Sequence, residues 1–268
     1  MHTSISLWAN PPEMPILAEA EIHVWRAMLD LPPSKIEALE LILSADELAR
    51  AQRFRFAKDR THFIAARGQL RAILGRYLAR EPQSLSFTYN DYGKPSLASM
   101  PARRTGGRPQ GSPLREPGVT QDDGLSFNVS HAQGMALYAF TRNRAIGVDV
   151  EYIQSQMEWE SIAEHFFSPY EVNVLKAVSP DMRPIAFFNC WTRKEAYIKA
   201  RGMGLSLALD SFDVSLTPGE PAALLGIREN GQDIANWSLY ALHPGSNYIA
   251  ALAVEGHASS LQYWQCDL

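Results

Sequence analysis

The sequence predicts an α+β fold built as two similar lobes, and three observations carry that expectation. Strand-like and helix-like stretches come in separate runs rather than in strict alternation. A weak internal repeat recurs at a fixed offset. The composition, 46% hydrophobic and 20% charged, is that of a folded globular chain, and 268 residues suffice for one large domain or two ordinary ones.

Adding 124 to the residue number carries Ile22-x-Val24 onto Ile146-x-Val148, and Leu43-Ser44-x-x-Glu47 onto Phe167-Ser168-x-x-Glu171. The same shift carries Phe63-Ile64 onto Phe187-Phe188 and Arg71-Ala72 onto Glu195-Ala196. Their common order and register divide the chain into lobes at 1–144 and 145–268.

Each lobe is expected to open on a strand, continue through helices and close on strands. In the first, Ile22 to Ala27 alternates with period two. Ser44 then caps a helix whose first turn carries Asp46 and Glu47, where acids favour the helix dipole. Phe63, Leu70, Ile73, Leu74 and Tyr77 recur at helical spacing. Leu85 to Tyr89 and Leu125 to Val129 read as strands, and Met135 to Phe140 with Ala145 to Tyr152 as a hairpin around Thr141-Arg142-Asn143-Arg144. In the second lobe Ser168-Pro169 opens a helix with Glu171 in its first turn, and another runs from Pro184 to Arg201 before Gly202. Strands follow near Phe212–Leu216, Trp237–Leu242 and Tyr248–Val254. From Ser99 to Gly124 the chain is rich in Pro, Gly, Arg and Ser and without hydrophobic periodicity, which predicts a flexible insertion. Its Arg103, Arg104, Arg108 and Arg115 suit solvent better than a phosphate site.

A net charge of −4 gives no global attraction to nucleic acid or anionic membranes, so neither is expected as a partner. No run approaches the roughly twenty apolar residues of a membrane span. The N-terminus carries acids and prolines before any long apolar stretch, so no secretory signal and a cytoplasmic location are expected. Two cysteines, Cys190 and Cys266, make no disulfide framework, and Cys190 reads as a small buried hydrophobe.

Two motifs carry chemistry. In Gly147-Val148-Asp149-Val150-Glu151, Asp149 and Glu151 stand two apart on a strand and leave by the same face. In Trp191-Thr192-Arg193-Lys194-Glu195-Ala196-Tyr197-Ile198-Lys199, positions 191, 195 and 199 share a helix face. Three carboxylates with an amine one turn away suit a hard divalent cation on a phosphorylated substrate. Taken alone, each segment reads equally as a solvated strand face or a helix-stabilising Glu–Lys pair. Phe127-Asn128-Val129-Ser130-His131 adds a hydroxyl and an imidazole, which can meet phosphate or simply cap a strand end. Tyr92-Gly93-Lys94-Pro95 places a cation at a tight turn, and Arg50, Arg53, Lys58, Arg60, Arg67 and Arg71 make the first lobe's helices basic, a solvated face or an anion site.

Taken in order, these three motifs resemble the 4'-phosphopantetheinyl transferases, specifically the long, two-lobed type similar to the surfactin-synthetase activator. Tyr92-Gly93-Lys94-Pro95, Phe166-Phe167-Ser168-x-x-Glu171 and Gly202-x-Gly204-Leu205-Ser206 extend the resemblance from about Ser44 to Phe212. It implies an intramolecular pseudo-dimer, acting as a monomer, with coenzyme A between the lobes. Asp149, Glu151 and Glu195 would hold Mg²⁺, Lys199 would neutralise the phosphates and assist departure of 3',5'-ADP, and Ser130 and His131 would contact phosphates. Gly93 and Lys94 would lie near the adenosine and Arg50 near the 3'-phosphate. Some relatives carry an apolar residue where Glu151 stands; here the acid completes three carboxylates. The implied reaction moves 4'-phosphopantetheine from coenzyme A to a serine of an apo acyl or peptidyl carrier protein. Glu195, directly or through a metal-bound water, is the expected base. A non-catalytic carrier-protein-binding module and a Mg²⁺-dependent nucleotide pyrophosphatase are the competing functions. Tyr152 to Phe167, with Trp159, Phe166 and Phe167, reads equally as a carrier contact or as core.

Overall fold

A computed structural model describes residues 8–98, 124–153, 158–228 and 234–267. The first half runs β1 (Glu21–Met28), α1 (Pro33–Glu40), α2 (Ala45–Ala51), α3 (Ala57–Leu78), β2 (Phe87–Tyr89), β3 (Pro95–Leu97), β4 (Leu125–Ala132) and β5 (Met135–Arg142). The second runs β6 (Ile146–Tyr152), α4 (Trp159–Phe166), α5 (Pro169–Ala177), α6 (Arg183–Arg201), β7 (Phe212–Val214), β8 (Leu224–Ile227), β9 (Trp237–Leu242), β10 (Tyr248–Glu255) and β11 (Ser260–Cys266). The fold is α+β. Residues 99–123, which hold nearly all of the expected insertion and its four arginines, lie outside the described residues.

Two sheets face each other, one ordered β11-β1-β5-β4 and the other β6-β10-β9. Ile22 and Val24 of β1, Leu137 and Ala139 of β5, Val148 and Val150 of β6, and Leu252 and Val254 of β10 form the apolar layer between them. Period two sends the alternate residues outward. Trp25, Tyr138 and Phe140 therefore pack under α3, while Ala251 and Ala253 lie under α6. The layers run helix, sheet, sheet, helix.

Three features differ from the sequence reading. The expected hairpin between β5 and β6 does not form, because β5 has β1 on one edge and β4 on the other. Its hairpin partner is β4, through a turn with positive φ at both Gln133 and Gly134, the backbone that a two-residue hairpin requires. β6 pairs instead with β10. The last strand, β11, crosses back to lie parallel to β1, so residues 260–266 belong to the first half's sheet. Finally, α1, α4, β3, β8 and β11 had no periodic signal long enough to be read.

The repeat reappears as a buried device. Ser44 and Ser168 each donate a backbone N–H at 2.9 Å to the carboxylate three residues on, Glu47 and Glu171. Both acids are buried and each is paired with a buried cation of the long helix: Glu47 with Arg71 at 2.6 Å, Glu171 with Lys194 at 2.8 Å. Each cation also binds two carbonyls of the following segment, Pro82 and Leu85 for Arg71, Leu209 and Phe212 for Lys194. The equivalent of Arg71 is thus Lys194 and not Glu195, one residue off the sequence register. Arg71 and Arg67, which also pairs with Glu47, are therefore not on a solvated basic face.

β1 also carries a titratable group in the core. His23 is 2% exposed and its Nδ1 lies 2.7 Å from the Tyr77 hydroxyl. The Trp25 indole can only donate, so Tyr77 accepts from it at 2.9 Å, and the same hydroxyl shares its second hydrogen bond with the imidazole. Burial lowers the His23 pKa to about 4, against a weaker opposing pull from Glu21. The unfolded chain then binds more protons between pH 6.5 and 4, and stability falls as pH falls through that window. The expected loss is about 3 kcal/mol, measured by denaturant unfolding across that range. His23→Leu should flatten the slope; an unchanged slope would place the proton elsewhere.

Candidate functional site

Where β6 passes beneath α6, the two motifs meet. Gly147, Asp149 and Glu151 occupy the β6 face turned from the inter-sheet core. On α6, from Trp191 to Ala200, only Trp191, Glu195 and Lys199 are less than fully buried, the every-fourth-residue stripe the spacing predicts. A Cβ on Gly147 would stand 2.1 Å from the Ala196 carbonyl oxygen and 2.3 Å from the Ala200 nitrogen. Only glycine lets strand and helix backbones come this close.

The Lys199 ammonium lies 2.6 Å from Asp149 Oδ1 and donates to Ser130 Oγ at 3.0 Å. Ser130 donates to the same Asp149 oxygen at 2.9 Å. The other oxygen, Asp149 Oδ2, is buried without a hydrogen-bond partner. An unpaired buried carboxylate oxygen is costly, so a cation there would be strongly favoured. Burial raises the Glu151 pKa to about 7, with Asp149 adding to the rise and Lys199 and the Trp191 indole opposing it. Burial likewise raises Glu195, again with Asp149 repulsion added and Lys199 opposed. Asp149 thus acts on both Glu151 and Glu195 across the strand–helix junction, although among the described residues no three acids form a ready-made metal cage. An all-oxygen set with one orphaned carboxylate oxygen fits a hard divalent cation such as Mg²⁺.

Alongside lies a cavity of about 280 Å³. Its walls are the Tyr92–Pro95 loop, Asn128 and Val129 of β4, Glu195, Ile198 and Lys199 of α6, and Gly202 and Gly204 beyond the helix. Asn90 shapes the loop: its Oδ1 accepts from the Tyr92 and Lys94 amides, and its Nδ2 donates to the Gly202 carbonyl at 2.8 Å. Gly93, with φ 79°, makes the turn. Lys94 borders the cavity, while its ammonium donates to the carbonyls of Ile146, Lys199 and Ala200. Burial lowers the Lys94 pKa to about 8.

The remaining expected residues divide. His131 stands exposed at the end of β4; protein crowding its ring lowers its pKa, helped by Lys199 and His62. Arg50 does not line the cavity; its guanidinium sits 5.3 Å from the Phe63 ring. Ser130 is buried and bonded within the site. Among the aromatics that follow β6, Phe167 is core, stacked on Phe187, and Trp159 packs on the same ring. Phe166 is 41% exposed, its edge toward Trp191. Sequence reasoning missed Asn90 and Asn128. Asn128 stood inside a quoted motif, but its contact, accepting from the Val148 amide at 2.8 Å, is invisible in one dimension.

Comparison with known proteins gives this geometry a setting. A model of the 4'-phosphopantetheinyl transferase superfamily matches residues 145–253. The chain is 40% identical to 4'-phosphopantetheinyl transferase HetI of Nostoc sp., over 95% of this chain and 96% of that one. A putative 4'-phosphopantetheinyl transferase of Synechocystis sp. is 31% identical, covering 81% of this chain and 78% of its own length. 4'-Phosphopantetheinyl transferase Sfp of Bacillus subtilis is 27% identical over 73% of this chain and 77% of its own.

Proposed function

The chain belongs to the 4'-phosphopantetheinyl transferase superfamily and is an enzyme of that kind; from this premise we propose that it moves the 4'-phosphopantetheine arm of coenzyme A onto a serine of an apo acyl or peptidyl carrier protein, releasing 3',5'-ADP. The observation that carries the proposal is the strand–helix junction, where the Lys199 ammonium contacts Asp149, where Glu151 and Glu195 lie within electrostatic reach of both, and where Glu195 and Lys199 line the 280 Å³ cavity.

In this reading the nucleotide enters the cavity against Gly93 and Lys94, with the pyrophosphate toward Lys199. His131 and Arg50 are assigned to phosphate contacts at the periphery. Ser130 serves by holding Asp149 and Lys199 rather than by touching phosphate with a free hydroxyl. Asp149, Glu151 and Glu195 would hold Mg²⁺, which when bound supplies charge neutralisation on the pyrophosphate. Lys199 steadies the charge that grows on the leaving phosphate. Glu195 takes the serine proton as general base. We read the protein as two lobes, 1–144 and 145–268 with β11 returned to the first, acting as a cytoplasmic monomer on a protein partner and not on nucleic acid or membrane.

Incubation with coenzyme A, Mg²⁺ and an apo-carrier protein tests the proposal. Mass gain on the carrier supports transfer; free 3',5'-ADP without mass gain would point to hydrolysis, and neither to a binding module. Lys199→Ala is expected to lower turnover about 10–100-fold with little change in coenzyme A affinity. Glu195→Gln should bind coenzyme A normally and transfer poorly; undiminished transfer removes it from the role of base.

A further inference from the structure

The edge of β6 that faces β4 is closed by side chains in place of a backbone ladder. The Ile146 carbonyl accepts from the Lys94 ammonium at 3.0 Å, the Val148 amide donates to Asn128, and the Val150 amide donates to Ser130. Three successive outward-facing backbone positions are thereby held by three side chains of the first half. Lys94 also reaches the backbone of the helix: its ammonium donates to Lys199 O at 2.7 Å and Ala200 O at 3.3 Å, in the last turn of α6. Those carbonyls sit at the negative end of the helix dipole, where the Lys199 carbonyl also accepts from the Gly202 amide at 3.2 Å.

We infer that Lys94 is a positioning residue for the transfer reaction, its ammonium setting the height of α6 against β6 and so the alignment of Glu195 and Lys199 with Asp149 and Glu151. The inference rests on the functional reading above for what the site does, not for the contact itself. An ammonium has three donors and this one meets three carbonyl acceptors, so none remains for a phosphate. Its cage is fixed from both sides. Asn90 accepts from the Lys94 amide at 2.9 Å and donates to Gly202 at the end of α6, so the loop and the helix terminus move together. Gly147 sets how close the strand and helix approach, and Lys94 sets where along its axis the helix stops.

Lys94→Met keeps the stem and removes the donors. A Lys94→Cys chain alkylated with 2-bromoethylamine restores an ammonium at nearly the same reach, and the native cysteines, Cys190 and Cys266, are buried from the reagent. Two measurements are made on each: steady-state transfer with coenzyme A and an apo-carrier protein, and Mn²⁺ affinity by electron paramagnetic resonance without substrate. Lys94→Met is expected to lose about 10–100-fold in kcat, to keep its KM for coenzyme A, and to bind Mn²⁺ more weakly by a similar factor. The alkylated chain should recover both. A raised KM with unchanged kcat and Mn²⁺ affinity would make Lys94 a substrate contact and overturn the inference, as would wild-type values throughout or failure of the alkylated chain to recover. If the wild-type chain loaded no carrier at all, the Mn²⁺ loss and its rescue would still stand or fall independently, separating this inference from the proposed reaction.

Discussion

Gly147→Ala is expected to cost about 3 kcal/mol of stability, the upper end of overpacking penalties, and to abolish most carrier loading in the fraction that folds. The added methyl would meet Ala196 O at 2.1 Å and Ala200 N at 2.3 Å, backbone atoms of a helix that cannot rotate aside. Relief requires α6 to lift from β6, which carries Glu195 and Lys199 away from Asp149. Thermal unfolding should show Tm lowered by about 10 °C. Gly226→Ala in β8 is the control, since its nearest neighbour is the Asp213 carboxylate at 3.6 Å, an ordinary contact. Equal Tm and transfer rate in both variants would refute the close-contact argument.

Asp149→Asn is expected to reduce transfer about 10²–10³-fold while leaving the fold intact. The amide oxygen can still accept from Ser130 and Lys199, as Asp149 Oδ1 does at 2.9 and 2.6 Å, so local packing survives. What disappears is the negative charge and the unpaired oxygen, Oδ2, that would meet a cation. Mg²⁺ should bind more weakly, and the pKa values of Glu151 and Glu195 should both fall, because Asp149 repulsion contributes to raising each. Isothermal titration with Mg²⁺ and a carrier-loading assay check this. A variant that loads the carrier at the wild-type rate would take Asp149 out of the reaction.

Much of the site was legible because its motifs lie within single elements. The alternation at 146–151 put Asp149 and Glu151 on one face, and four-residue spacing put Trp191, Glu195 and Lys199 on one stripe. The reading failed where chemistry depends on how elements cross. A solvated strand face was one of the two readings of the carboxylates, and Asp149 excludes it, being 4% exposed beneath α6. Tyr92-Gly93-Lys94-Pro95 identified the loop, but nothing in it says that the ammonium turns away toward three carbonyls. Arg71 and Lys194 sit at slightly different offsets from their capping boxes, so the repeat read by number alone matched Arg71 to the wrong residue. β11 was missed because its partner, β1, is more than two hundred residues away in sequence.

By itself the sequence determined which residues share a face, where the long helices stop, and that two halves echo each other, since all three follow from backbone periodicity and local caps. Only the tertiary structure decided that the acidic strand lies against the Glu195–Lys199 stripe, that Lys94 and Asn128 bind the edge of β6, and that one oxygen of Asp149 is left without a partner. Those are relations between elements far apart in the chain. They depend on the close approach that Gly147 permits and on how layers stack, which no local pattern encodes.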